Sequence, residues 1–330
     1  MSDAIIAPGV ATANRRTGLI MAATASVFFA INGTVSKAIL LSGIEAVRLT
    51  QFRSLGAFAG IALWLAWRRP SALRLRWREV PMLAVYGVVG FAFVQIFYFI
   101  SIGRLPVGVA LLIEYTAPIL IALWARFGEK QPLRKRFWAA LALAMLGLAM
   151  VAQVFDSGAD IDGLGVAAGF AAALALALYF ILGDRIISTG RRDAISLTCW
   201  AFGFASLFLA IAFPWWSFPF GELAGSTALL EGLPAIPIWA LALWLVVLGT
   251  ILPFTLIIAS LSHLTATGSS VVGMLEPVLA AVVAWILLGE VLAGVQIVGG
   301  IVVLVGVLLA ETSRAGAVRR AADAAAADAL

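Results

Sequence analysis

The sequence predicts an all-α integral membrane protein, with ten transmembrane helices arranged as two inverted five-helix repeats around a central cavity. Three observations predict it. Of the 330 residues, 63% are hydrophobic and 12% charged, and mean hydropathy is +1.07. Water-soluble domains are about half apolar and a quarter charged, so one aqueous core cannot bury this much apolar surface. Apolar runs of bilayer-crossing length recur along the whole chain. One stretch also occurs twice: Ser101 to Glu129 and Ser260 to Glu290 each run from a short polar start, through small residues, to a Pro and then Gly-Glu. Leu105 pairs with Leu264 and Pro118 with Pro277 at one offset of 159 positions. A period near half the chain fits a duplicated transporter, because solenoid repeats are several-fold shorter.

Residues 1–16 carry Asp3, Pro8 and a closing Arg15-Arg16 and are expected to form a cytoplasmic tail. A cleaved signal peptide is the alternative, but the following apolar run is too long for one and many more succeed it. Spans are expected near 17–40, 46–67, 79–101, 105–127 and 136–155, and again near 163–184, 194–214, 237–259, 263–288 and 292–311. The first repeat is thus expected over 17–155 and the second over 163–311, with an outside linker at 156–162 and an Ala-rich cytoplasmic tail at 312–330.

Charge in the connections orients these spans. Residues 68–78 and 126–136 hold five Lys or Arg each, 185–192 holds three, and the tails hold five more. Among the connections of the opposite side only Arg104 is basic, against Glu45, Asp156, Asp160, Asp162, Glu222 and Glu231. Eighteen against one puts both termini in the cytoplasm and requires an even number of spans. With five helices per half, the second half enters the membrane the opposite way round, a basis for alternating access. The longest outside connection, Pro214 to Pro237, carries Trp215, Trp216, Phe218 and Phe220 and reads first as an aromatic interface belt.

Several chemistries are unsupported. The lone Cys199 allows no internal disulfide, and the basic residues follow loops rather than one polar face, which argues against nucleic acid. No GxxxxGK[ST], HExxH or GxSxG occurs, Gly163-x-Gly165-x-x-x-Gly169 misses dinucleotide spacing, and one His with one Cys makes no metal cluster. No cofactor is expected, and the chain does not read as an enzyme. The partners implied are a small-molecule solute and the lipid bilayer.

Polar groups inside the spans are the site candidates, since a charge at a helix centre costs about 2.5–3.5 kcal/mol on insertion scales. Arg48 lies three residues after Glu45, where a surface pair and snorkelling explain it. Arg53 lies about 7 Å deeper at 1.5 Å per residue. It could hold a substrate carboxylate or brace Glu114. Glu114, four residues before Pro118, and Glu276, directly before Pro277, sit beside expected kinks; Pro253 adds a third kink without a match in the third helix. Each carboxylate could meet a substrate ammonium or simply fix its kink. Asn32, Gln95, Tyr98, Tyr115, Tyr179 and Trp200 complete the candidate lining, with His263 near a boundary. Packed core is the plain alternative for each aromatic, whereas an amide in hydrocarbon needs partners. Gly56-x-x-x-Gly60 and Gly165-x-x-x-Gly169 fit close helix packing.

Phe52-Arg53, Tyr115-Thr116-Ala117-Pro118 with Gly128-Glu129, and Leu275-Glu276-Pro277 with Gly289-Glu290, in this order and on ten spans, resemble the drug/metabolite transporter superfamily and its EamA-type members. The similarity covers roughly residues 17–311. Two features depart from strict symmetry: the first Pro to Gly-Glu spacing is shorter, and the second half has no Arg matching Arg53. The resemblance implies a carrier of the bacterial-type inner membrane that exports amino acids or related metabolites, and the aromatic lining is similar to that of aromatic amino-acid exporters. Arg53 would then face the carboxylate, and Glu114 or Glu276 the ammonium. A multidrug exporter of cationic solutes is the nearest rival; a membrane scaffold or intramembrane enzyme is the rival from another class.

Overall fold

The computed structural model describes residues 14–154, 162–228, 234–288 and 291–327. Asp156, Asp160 and Glu231, the Gly289-Glu290 end of the second copy and residues 1–13 lie outside them. Ten helical rods follow in order: α1 Arg15–Leu40, α2 Ala46–Arg68, α3 Val80–Ile102, α4 Val107–Gly128, α5 Lys135–Val151, α6 Gly163–Ser188, α7 Ala194–Ala212, α8 Ile238–Ser260, α9 Ala266–Gly273 continued by Leu275–Leu288, and α10 Gly294–Ala327. Eight are long and apolar enough to cross a membrane on that ground alone. α2 carries Arg48, Arg53 and Arg68, and α5 is only 17 residues long, so both depend on their neighbours. Among the described residues the only strands are Ser226–Thr227 and Ile236–Pro237, an antiparallel pair in the long connection.

Asn14 caps α1 by accepting from the Arg16 and Thr17 amides, and Asp162 caps α6 by accepting from Gly165 N–H. That amide, with Arg104 at 3.4 Å, holds the Asp162 carboxyl below its usual range. α10 runs 34 residues, about 51 Å, so the Ala-rich tail continues the last span as helix.

The glycine contacts expose the internal symmetry. A Cβ on Gly18 would stand 2.7 Å from His263 Cβ, and one on Gly165 would stand 2.9 Å from Arg104 Cβ. Gly18 and Gly165 are 147 positions apart, while Arg104 and His263 keep the 159 offset. The difference is an insertion in the α7–α8 connection. A Cβ on Gly147 of α5 would lie 2.6 Å from Val303 N, and one on Gly306 of α10 would lie 2.7 Å from Ala144 N, the matching atom. α5 and α10 therefore interlock backbone to backbone about the pseudo-axis, as small residues permit in a membrane. Gly56 and Gly60 pack on Val246 and Ile251 of α8, and Gly165 and Gly169 pack on the α3–α4 corner. Both glycine pairs thus serve helix packing.

Two local expectations are corrected. Arg48 does not pair with Glu45: it donates to Gln51 Oε1 at 3.0 Å, Pro214 O at 3.1 Å and Ser217 Oγ at 2.6 Å. Carbonyl and hydroxyl oxygens of the folded-back α7–α8 connection satisfy it better than a solvated carboxylate would. The bend in α8 is not without a match either. A π-helical turn, Val247–Ile251, precedes Pro253, and a π turn at Val88–Phe93 stands at the same place in α3. Gly90 and Gly249 occupy equivalent sites in the two turns, so an extra backbone residue, not proline alone, makes the bend.

Candidate functional site

α4 and α9 are each interrupted at matching positions. α4 stops at Glu114, turns at Tyr115-Thr116 and resumes at Ala117; α9 stops at Gly273, turns at Met274 and resumes at Leu275. Pro118 and Pro277 have no N–H for the carbonyls four residues back, those of Glu114 and Gly273. Helices broken in mid-membrane are tolerated where they line a wet cavity and leave helix ends facing a solute. Glu114 ends one half-helix, and Glu276 lies in the first turn of another, where the helix dipole favours a negative charge.

Four predicted residues converge at these breaks. Glu114, Glu276, Tyr98 and Tyr115 interact electrostatically with one another, and Tyr115 approaches the Glu276 carboxylate with its hydroxyl. Glu114, Glu276, Tyr98 and the neighbouring Gln95 are half-buried. Carboxylates that keep accessible surface at mid-helix need water or a polar solute beside them.

Arg53 faces this group. It is only 9% exposed, the carboxylate that acts on its charge is Glu276, and its Cζ lies 6.0 Å from the Phe254 ring centroid. Its Nε is buried with no hydrogen-bond partner, and among the described residues no ion pair holds the guanidinium.

The other predicted residues stand apart. Asn32 accepts from Ser36 Oγ at 3.3 Å and lies against the π turn of α8, its Oδ1 2.6 Å from where a Gly249 Cβ would be. Tyr179 stacks on Tyr86 at 5.5 Å inside an aromatic cluster, with both hydroxyls buried. Trp200 packs on Phe58 and lines a groove of about 380 Å³ between α2 and α7. His263 accepts from the Asn14 N–H at 3.3 Å, at the entry of α1. Pro118 and Pro253 are buried beside the bends. In the long connection Trp215, Phe218 and Phe220 pack ring against ring while Trp216 is 88% exposed.

Sequence reasoning missed Phe254 and Tyr86. Phe254 was legible by offset, since it is the counterpart of Gln95 and follows Pro253 directly. Tyr86 lies near the start of α3 among ordinary apolar residues and carries no such signal.

The family model of the EamA-like transporter family matches residues 16–153 and 163–312, one match on each five-helix repeat. Threonine/homoserine exporter RhtA of Salmonella typhimurium (strain SL1344) is 31% identical over 77% of this chain and 76% of its own length. The protein of that name in Escherichia coli (strain K12) is 30% identical over the same shares. A probable terminal-alkyne amino-acid exporter of Streptantibioticus cattleyicolor is 26% identical over 85% of this chain and 87% of its own. A solved crystal structure of a protein superposes with a TM-score of 0.72 at 18% identity, covering 90% of this chain and 97% of that one, a likeness of fold. Two family matches on two inverted repeats, with relatives that are exporters along most of their length, make this chain a multi-pass membrane transporter, not an enzyme, belonging to the EamA-like transporter family.

Proposed function

We propose that this transporter exports amino acids, with a preference for aromatic or large apolar side chains, across a bacterial-type inner membrane with both termini cytoplasmic. One observation carries the reading: a buried guanidinium with no ion pair among the described residues, Arg53, stands near the half-buried Glu276, which interacts with the half-buried Glu114 at the helix breaks. A lone buried cation is costly, and a solute carboxylate with bidentate geometry satisfies it. A zwitterion supplies both complements, its carboxylate to Arg53 and its ammonium to Glu276 or Glu114. Tyr98, Tyr115 and Phe254 leave the side chain an aromatic wall. Gln95, Asn32, Tyr179, Trp200 and His263 belong to the proposed path rather than to this centre. Pro118, Pro253 and Pro277 are its proposed hinges, each beside an interrupted or π-turned helix.

A second reading, a small hydroxylated amino acid, draws on the threonine/homoserine exporters among the relatives. The test is efflux from liposomes holding the purified protein and loaded in parallel with labelled phenylalanine, tryptophan, threonine and a lipophilic cation. Saturable efflux of the aromatic pair is expected. Efflux of threonine alone selects the second reading; efflux of the cation alone replaces amino-acid export with drug export.

A further inference from the structure

We infer that Phe254 is the coupling residue of the carrier: it ties Arg53 to an aromatic gate that closes the basic-loop end of the transport path. Phe254 directly follows Pro253. Its ring meets a residue from each of five other helices: Phe29 of α1 at 4.9 Å, Arg53 of α2 at 6.0 Å, Phe91 of α3 at 4.9 Å, Tyr179 of α6 at 6.4 Å and Phe202 of α7 at 5.3 Å. Behind it Phe91, Tyr179 and Phe202 are 4%, 3% and 1% exposed, and Tyr86 completes the stack at 0%. A plug of this density excludes water and solute. Phe254 itself is half-buried, so it is the face of the plug toward Arg53.

The internal symmetry shows that the plug belongs to one end only. Tyr86, Phe91, Tyr179, Phe202 and Phe254 correspond in the other repeat to Leu245, Thr250, Asn32, Leu55 and Gln95. None of these counterparts is aromatic. Inverted repeats can exchange roles only if both ends open, and here the aromatic end carries the larger closing contact. A cation over a ring face is attracted to it, so Arg53 holds the ring that holds the plug. An anion that draws the guanidinium away releases Phe254 and biases the gate open. A ligand shifts such an equilibrium only through contacts that differ between the two states, and this contact is one.

The coupling by substrate rests on the proposed carboxylate role of Arg53, but the gate can be tested without any ligand. In a Cys199→Ala background, Gln95→Cys places a reporter behind the plug: it is half-buried and lies one turn after Phe91 on α3, which runs away from the basic-loop end. Labelling by a membrane-impermeant maleimide from the basic-loop side then reads gate opening. Phe254→Met keeps bulk and loses the ring face. It should raise ligand-free labelling about tenfold, as the loss of such aromatic pairs implies. Phe93→Met, which removes an aromatic packed on Phe97 and Phe208 away from the plug, should leave labelling unchanged. Arg53→Gln should raise labelling as well, and the double variant should show no further rise, because both act through one contact. In the parent protein L-phenylalanine should raise labelling, and in Phe254→Met that response should vanish. Unchanged ligand-free labelling in Phe254→Met, or simple addition of the two single effects, overturns the coupling. Failure of the parent to bind L-phenylalanine or L-threonine in an equilibrium assay sinks the amino-acid reading, while the ligand-free comparison still decides the gate.

Discussion

Arg53 and Trp200 hold the same position in the two repeats, and each keeps a buried nitrogen, Nε in one and Nε1 in the other, without a hydrogen-bond partner. Their surroundings differ: Arg53 lies over Phe254 and faces Glu276, whereas Trp200 lines the groove between α2 and α7. The charge is therefore confined to one of two equivalent places. Arg53→Gln should lower amino-acid efflux by about 10- to 100-fold, the 1.5–3 kcal/mol of a hydrogen bond to a charged group. Trp200→Phe keeps an aromatic side chain but loses the N–H and the five-membered ring of the indole, and should change efflux less than about threefold. Initial efflux rates from liposomes measure both; equal losses would mean that the two positions act alike.

The π turn of α8 is closed by contact with α1. Asn32 Oδ1 lies 2.6 Å from the place a Gly249 Cβ would occupy, so Gly249→Ala must push either helix aside. Overpacking of this kind costs about 1–3 kcal/mol. Pairing it with Asn32→Ala removes the obstacle and should restore part of that loss, a non-additivity that melting of the four proteins in detergent would show. Strict additivity would mean that the backbone of α8, not Asn32, sets the cost.

Ten spans, the orientation signal and the duplicated α4 and α9 were legible because bilayer length and period act on composition alone. Glu114 and Glu276 stood out as candidates because a carboxylate within a turn of a proline is rare in hydrocarbon. Two things were not. The offset changes from 147 to 159 across the α7–α8 insertion, so a search at one period cannot align Arg53 with Trp200 or Asn32 with Tyr179. The π turns of α3 and α8 leave no residue signature beyond a glycine, because they arise from one extra backbone residue packed against a neighbour. His263 and Arg48 were polar residues whose partners, Asn14 and the Pro214–Ser217 turn, lie far away in sequence.

The α2–α3 and α6–α7 connections are joined by a buried cation. Arg192 donates to Glu79 Oε2 at 2.7 Å, to the Ala72 and Arg74 carbonyls and to Ser196 Oγ, and its side chain is 7% exposed. Arg192→Ala leaves Glu79 without its partner and should cost about 3–5 kcal/mol. Arg69 and Asp193 are 2.6 Å apart in the same region but 53% and 38% exposed, so Arg69→Ala should cost less than about 1 kcal/mol. Thermal unfolding in detergent separates the two. A loss for Arg69→Ala as large as that for Arg192→Ala would show that the connections are held by the exposed pair.

Orientation follows from charge and an even span count, and it is testable at two exposed positions in a Cys199→Ala background. Ser71 lies in the connection after α2, among the basic residues, and Glu222 lies in the aromatic connection after α7. Five helices separate these connections, so they stand on opposite faces of the membrane. The bias of Lys and Arg toward the cytoplasm puts Ser71 inside. In intact cells an impermeant maleimide should label Glu222→Cys and spare Ser71→Cys, which should react only after permeabilisation. The reverse pattern would invert the protein and place Arg53 toward the cytoplasmic end of its helix. Labelling of both from one side would mean an even number of crossings between them, and the two repeats would then not be inverted.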